Sequence, residues 1–193
     1  MTGIHGAFTP KPGCVGTTIC TASGVYFDFR SPETSVIDPR DIAHALSLLC
    51  RYTGHTDRFY SIAQHCVLAS YIVPAEHAFA ALMHDAHEAY VGDMSSPLKQ
   101  LCQDYKAIED RCEAAVAKRF GLTTPWPAEV KHADLVMLMT EKRDLMAARD
   151  HHWPLLDGIE PDHRTIDPRP SEECELMWLL RFYELCPKHL IAA

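Results

Sequence analysis

The chain has 193 residues, a length that suits one domain, and 47% of them are hydrophobic, enough for a sizeable core. Its formal charge of −8 argues against nonspecific nucleic-acid binding, which relies on many Lys and Arg contacts to phosphates. No stretch approaches the roughly 18 uninterrupted apolar residues of a transmembrane helix, so no membrane partner is expected.

The first residues lack a basic region followed by a long apolar run, so no signal peptide is expected and the cytoplasm is the expected compartment. The eight cysteines form no Cys-x-x-Cys pair. Most read as small buried hydrophobes in a reducing compartment.

In chain order, residues 1–16 are rich in Gly, Pro and Thr and read as irregular. Thr17 to Phe29 alternates, and Ser23-Gly24 between its two halves predicts a small hairpin. Arg30 to Pro39 is a loop. Asp38-Pro39 starts a helix through Arg51, with Ile42, Ala45, Leu46 and Leu49 as its stripe. Thr53-Gly54-His55-Thr56 breaks it. Helices are expected over 61–73, 75–90, 105–120 and 127–149, the second of these the most apolar and so the most central. Residues 91–98 form a turn region, and Gly121 stops the helix before it. Residues 151–170 form a long loop with four Pro. Ser171 is placed to cap a last helix to Cys186, with Glu172 and Glu173 at its positive end. The expected fold is all-α, one domain over 1–193: a hairpin and loop appendage over 1–37, a helical core over 38–150, and a Pro-rich loop and helix over 151–193.

The chemistry concentrates in Met83-His84-Asp85-Ala86-His87-Glu88, followed by Gly92-Asp93. A His-Asp pair in an apolar helical pattern needs a partner, and a divalent metal is the natural one. Glu88, four residues on from His84, shares its helical face. His65 sits in Ile62-Ala63-Gln64-His65-Cys66-Val67-Leu68, and Asp134 in another hydrophobic run, 130–139. Three separate helices thus offer unexpected ligand types, and converging in a bundle they would form a His2Asp2 site with room for water or a phosphate oxygen.

This pattern resembles the HD-domain metal-dependent phosphohydrolases, whose signature is His…His-Asp…Asp on the helices of one bundle. The resemblance covers roughly residues 40–150. Within that superfamily the chain looks most like bacterial 5′-deoxynucleotidases and phage-encoded dATP triphosphohydrolases. Those carry an Arg-aromatic pair upstream of the first ligand, matched by Arg51-Tyr52. They also carry an acidic residue four after the His of the pair, then Gly-Asp, then Pro-x-Lys, matched by Glu88, Gly92-Asp93 and Pro97-Leu98-Lys99. The resemblance implies an HD-domain helical bundle with His65, His84, Asp85 and Asp134 as metal ligands. It places Arg51 and Lys99 at the phosphate, Tyr52 near the nucleoside, and Glu88 and Asp93 near the attacking water and leaving group. The hairpin and the motif 53–60 depart from the pattern and leave substrate size and base open.

The residue types suit that chemistry. A metal neutralises phosphate charge and lowers the pKa of bound water, and a carboxylate orients that water. A guanidinium holds two phosphate oxygens at once, as Lys cannot. His2Asp2 suits Mn, Co, Fe, Ni, Zn or Mg, so one divalent cation is expected without its identity. The expected activity is hydrolysis of deoxynucleoside 5′-phosphates, with dNMP 5′-nucleotidase and dNTP triphosphohydrolase both open because the ligand set is the same. A nucleotide-binding signalling module without turnover is the alternative. An RNA-end phosphodiesterase fits the −8 charge poorly. The histidines at 44, 55, 87, 132, 151 and 152 read as structural, substrate-edge or solvated. Apolar stripes at 105–120 and 171–186 exceed what a small bundle must bury and predict a homo-oligomer.

Overall fold

The structure is a computed structural model that describes residues 16–147 and 149–191. All but Gly16 of the expected irregular segment 1–16 lies outside the described residues. Strand β1 (Thr18–Cys20) pairs antiparallel with β2 (Tyr26–Asp28), Ile19 opposite Phe27. The turn falls at Ser23-Gly24, where Gly24 takes φ +83° and its N–H donates to the Thr21 carbonyl. Phe27 is fully buried and stacks on Tyr90, ring centroids 3.9 Å apart. Burying a Phe side chain contributes about 2 kcal/mol. The hairpin is therefore keyed into the helical core rather than hung on it.

Helix α1 (Pro39–Leu48) starts as the sequence predicts, with the Asp38 carboxylate accepting the Arg40 N–H. It stops three residues before Arg51, because Cys50 leaves the helix to bridge Ser61. The Arg51 N–H donates to the Tyr60 carbonyl and the Ile62 N–H to that of Leu49. Residues 51–54 between these contacts form a tight turn with Tyr52 and Thr53 at φ 56° and 54°. Helix α2 (Ile62–Ala69) is capped by Ser61, whose Oγ accepts the Gln64 N–H, and it ends short of the expected Val73.

The single helix expected over 75–90 is divided into α3 (Ala78–Met83), a tightened turn, and α4 (Glu88–Val91). The cause is local. His84 Nδ1 donates to the Ala81 carbonyl at 2.8 Å, the acceptor that an undisturbed α-ladder would give to the Asp85 N–H. The Ala86 and Glu88 N–H groups bond three residues back, to Met83 and Asp85. Gly92 then ends α4 at φ +80°, ψ 164°, a region open almost only to glycine.

Helix α5 (Ser96–Lys99) lies in the expected turn region, α6 (Gln103–Arg119) stops before Gly121, and α7 (Ala128–Leu145) follows Pro127 and ends before the expected Arg149. Helix α8 (Ser171–Leu185) has Ser171 as its first residue rather than its cap, and the Ser171 hydroxyl bonds the Glu172 carboxylate instead. A short α9 (Lys188–Ile191) follows.

Helix α8 packs lengthwise on α1 and α2. The core between them includes Ile42, Leu46, Leu82, Cys112, Trp178 and Phe182. Cys66, Cys112, Cys174 and Cys186 are buried free thiols, as expected. The 162–164 segment folds back on α7: the Asp162 N–H donates to Thr140 Oγ1, and Arg143 donates to the carbonyls of Asp162 and Arg164. Among the described residues no helix is long and apolar enough to cross a membrane.

Candidate metal centre

Helix α2 carries His65, the tightened turn after α3 carries His84 and Asp85, and α7 carries Asp134. Their donor atoms meet. His65 Nε2 stands 3.3 Å from His84 Nε2, 3.3 Å from Asp134 Oδ1 and 3.6 Å from Asp85 Oδ2. His84 Nε2 stands 3.3 Å from Asp85 Oδ2 and 3.9 Å from Asp134 Oδ1. A tetrahedral cation with bonds of ~2.1 Å would separate its donors by about 3.4 Å. His65 and His84 form one triad with Asp134 and another with Asp85, and Asp85 also stands with His84 and Cys66.

Hydrogen bonds behind the donors fix which nitrogen faces inward. His65 Nδ1 meets Glu141 Oε1 at 2.6 Å, and His84 Nδ1 meets a backbone carbonyl. Both acceptors take Nδ1–H, so each Nε2 faces inward and, on a neutral ring, offers a lone pair to the centre. Two such lone pairs 3.3 Å apart would repel one another, and protons shared with Asp134 or a cation relieve them. A shared cation removes the conflict, so the donor set fits a divalent metal. The surrounding charge points the same way. Asp85 and Asp93 act on Glu88, Asp85 acts on Asp93, and the buried guanidinium of Arg51 lies in the field of Glu141, Asp85 and Asp134. Burial opposes the charge of Asp134, but hydrogen bonding to His65 and His84 holds its carboxyl well below the usual range.

The other residues singled out in the sequence surround this point. Arg51 Nη1 lies 3.4 Å from Asp85 Oδ2 and Nε 3.3 Å from Glu141 Oε2, so the guanidinium stands between a donor and the carboxylate behind His65. The Tyr52 hydroxyl donates to Glu141, and burial beside that carboxylate pushes its pKa far upward. The left-handed backbone at Tyr52 and Thr53 costs roughly 1–2 kcal/mol per residue. Strain of this kind collects at functional sites, and here it accompanies the delivery of Arg51 and Tyr52 to the centre.

A cavity of about 220 Å³ adjoins the donors, with His84, Asp85 and Asp134 on one wall and Lys99, Glu109 and Trp126 on others. Glu88 lines it too. Its Oε2 is buried without a hydrogen-bond partner among the described residues, and burial, then Asp85 and Asp93, raise its pKa well above its ordinary value. Asp93 is half-buried behind Gly92, and burial again leads an upward shift. Lys99 reaches the cavity but is paired with Glu109 at 2.6 Å. Asp134 does not pair with Arg143, which binds Asp144 and loop carbonyls.

Sequence reasoning missed Glu141. Glu141 is fully buried and lies seven residues, two turns of α7, after Asp134, so its spacing offered a signal. Cys66 reads as a core thiol. It is one, with burial raising its pKa to about 11, but it also touches His84. His87 is buried at 3.8 Å from Glu109, with Nδ1 unpartnered. His55 and His132 are exposed.

No family model matches the chain. It is 48% identical over 168 residues to the uncharacterized protein YfdR of Escherichia coli, a match spanning 86% of this chain and 94% of that one. It is 37% identical over 121 residues to an uncharacterized protein of Rhodobacter capsulatus, spanning 58% of this chain and 62% of that one.

Proposed function

We propose a reaction for a chain that belongs to the YfdR family: divalent-metal-dependent hydrolysis of deoxynucleoside 5′-phosphates, on an HD-type helical bundle. The observation that carries this reading is the facing pair of Nε2 atoms of His65 and His84, flanked by Asp85 and Asp134 beside a cavity. Those four residues would hold the metal, which when bound neutralises phosphate charge and lowers the pKa of bound water. Arg51 supplies a permanent positive charge beside the donor set for phosphate oxygens. Lys99 adds a second cation across the cavity. Glu88, whose carboxyl burial and then Asp85 and Asp93 push toward its protonated form, lines the cavity as the candidate to move a proton there. Tyr52 and Glu141 hold Arg51 and His65 in place.

Cleavage at the phosphorus attached to the sugar releases phosphate from a dNMP or triphosphate from a dNTP, and both products are compatible with one ligand set. The deciding experiment is product analysis on dNMPs and dNTPs with Mn²⁺ or Co²⁺, for wild type and Asp85→Ala. Turnover lost in the variant, with helical content retained, supports the proposal. Undiminished turnover by Asp85→Ala overturns the site. No turnover of any nucleotide by the metal-loaded wild type replaces the enzyme with a nucleotide-binding module.

We also propose that the chain self-associates through α8. Its exposed stripe, Leu176, Leu180 and Tyr183, has Glu172 and Glu173 at one end and Arg40 and Lys188 near the other. An antiparallel copy would pair the stripe with itself and oppose those charges. The second expected stripe, on α6, is taken up by the core through Cys112, Val116 and Phe120.

A further inference from the structure

A second cavity, also of about 220 Å³, shares no lining residue with the one at the metal donors. It lies where the returning 162–169 segment crosses α2, α7 and α8. Leu68, Met137, Ile166 and Met177 give it an apolar floor, and Arg164 and Arg169, half-exposed, line it together with the carboxylates of Asp162 and Asp167. The walls are held by bonds independent of any ligand. Gln64 Nε2 donates to the Asp167 carbonyl, Gln64 Oε1 accepts the Arg169 N–H, and the Ile166 N–H donates to Asp144. The cavity is thus built into the fold.

Its chemistry defines an occupant. A cavity of roughly 150 Å³ lined by apolar side chains accepts one benzene ring. This one is larger by about one small substituent. Arg164 spends Nε and Nη2 on Asp162, leaving Nη1 without a partner among the described residues. Arg169 is paired with Asp167 at 3.0 Å and more loosely with Glu173 at 3.8 Å, and its side chain is 48% exposed. Both guanidiniums can therefore take a further acceptor at the rim, where a ring on the floor would present its substituent.

We propose that this cavity is a binding site for a small anion with a single flat apolar ring, seated on Met137 and Met177 with its acidic group toward Arg164 and Arg169. The site is separate from the metal centre and does not depend on what that centre does.

The test is methyl NMR on the full chain with 13C-methyl methionine, titrated with benzenesulfonate and with its neutral isostere benzenesulfonamide. Saturable shifts at Met137 and Met177 are expected from the sulfonate. Binding should be weaker by roughly tenfold or more for the sulfonamide, and likewise for the sulfonate with Arg164→Gln/Arg169→Gln, as the loss of charge-assisted hydrogen bonds implies. Met177→Trp, which fills the floor, should remove the response. Equal affinity for the two probes in wild type overturns the anion assignment even if the arginine variant fails to fold. No saturable shift overturns the site itself. A response that appears only with added Mg²⁺ would place the probe at the metal donors and overturns it as well.

Discussion

Glu141 does more at the centre than its absence from any sequence motif suggests. One fully buried carboxylate receives His65 Nδ1, the Tyr52 hydroxyl and the charge of Arg51. Burial works against its ionisation, and Arg51 and then His65 pull its pKa below the usual range. Carboxylates behind metal-bound imidazoles commonly set affinity by 10–100-fold, so Glu141→Gln should weaken binding of Mn²⁺ or Co²⁺ about tenfold while circular dichroism shows the helices retained. Calorimetric titration checks this, and unchanged affinity would make Glu141 a packing residue. Gly92 is the other position with a sharp expectation. A Cβ there meets nothing within 4 Å, so Gly92→Ala is penalised only through its backbone. The φ of +80° with extended ψ puts that penalty at about 1–3 kcal/mol, read as a lower denaturation midpoint.

At the scale of elements, the broken helix between Ala78 and Val91 is the decisive one. A continuous α-helix would point successive residues about 100° apart. The His84 bond to Ala81 tightens the turn, and His84 and Asp85 both reach His65 as well as one another. The 162–164 segment shows a different logic, in which a charge pair holds a loop in its own shape. Hydrogen bonds from Arg164 lower the Asp162 pKa to about 2 from an unfolded value of 3.8, with burial opposing them. The folded pKa is the lower one, so the stabilisation is complete above pH 3.8 and disappears as the pH falls through about 2. Asp162→Asn should therefore be less stable than wild type at neutral pH, and the gap should close over that window. Denaturant midpoints at several pH values measure it. A gap that stays constant would assign the effect to lost loop geometry rather than to charge.

For the molecule as a whole, α8 has two roles. Its inner face places Trp178 and Phe182 in the main core, and its outer face leaves Leu176 57% and Leu180 62% exposed. Leu180→Glu should leave the fold intact, because the side chain makes no part of the core, and should shift the particle to monomer in light scattering. A wild type already monomeric at micromolar concentration would remove the proposed pairing.

Much of this was legible in the chain itself. Unpaired His and Asp in apolar runs cost free energy without a partner, so His65, His84, Asp85 and Asp134 announced a shared centre before any fold was known. Ser23-Gly24, Asp38-Pro39 and Gly121 marked local boundaries because turn and cap chemistry is local. Other features depend on contacts distant in sequence. The end of α1 is set by the Cys50–Ser61 bridge, 11 residues apart in number, and the docking of Phe27 by Tyr90. Glu141 becomes a partner of His65 only when α7 packs on α2, and the second cavity exists only because the 162–169 segment returns over both. Residue chemistry and short-range periodicity are written in order along the chain, whereas the tertiary structure alone decides which distant side chain satisfies a buried polar group.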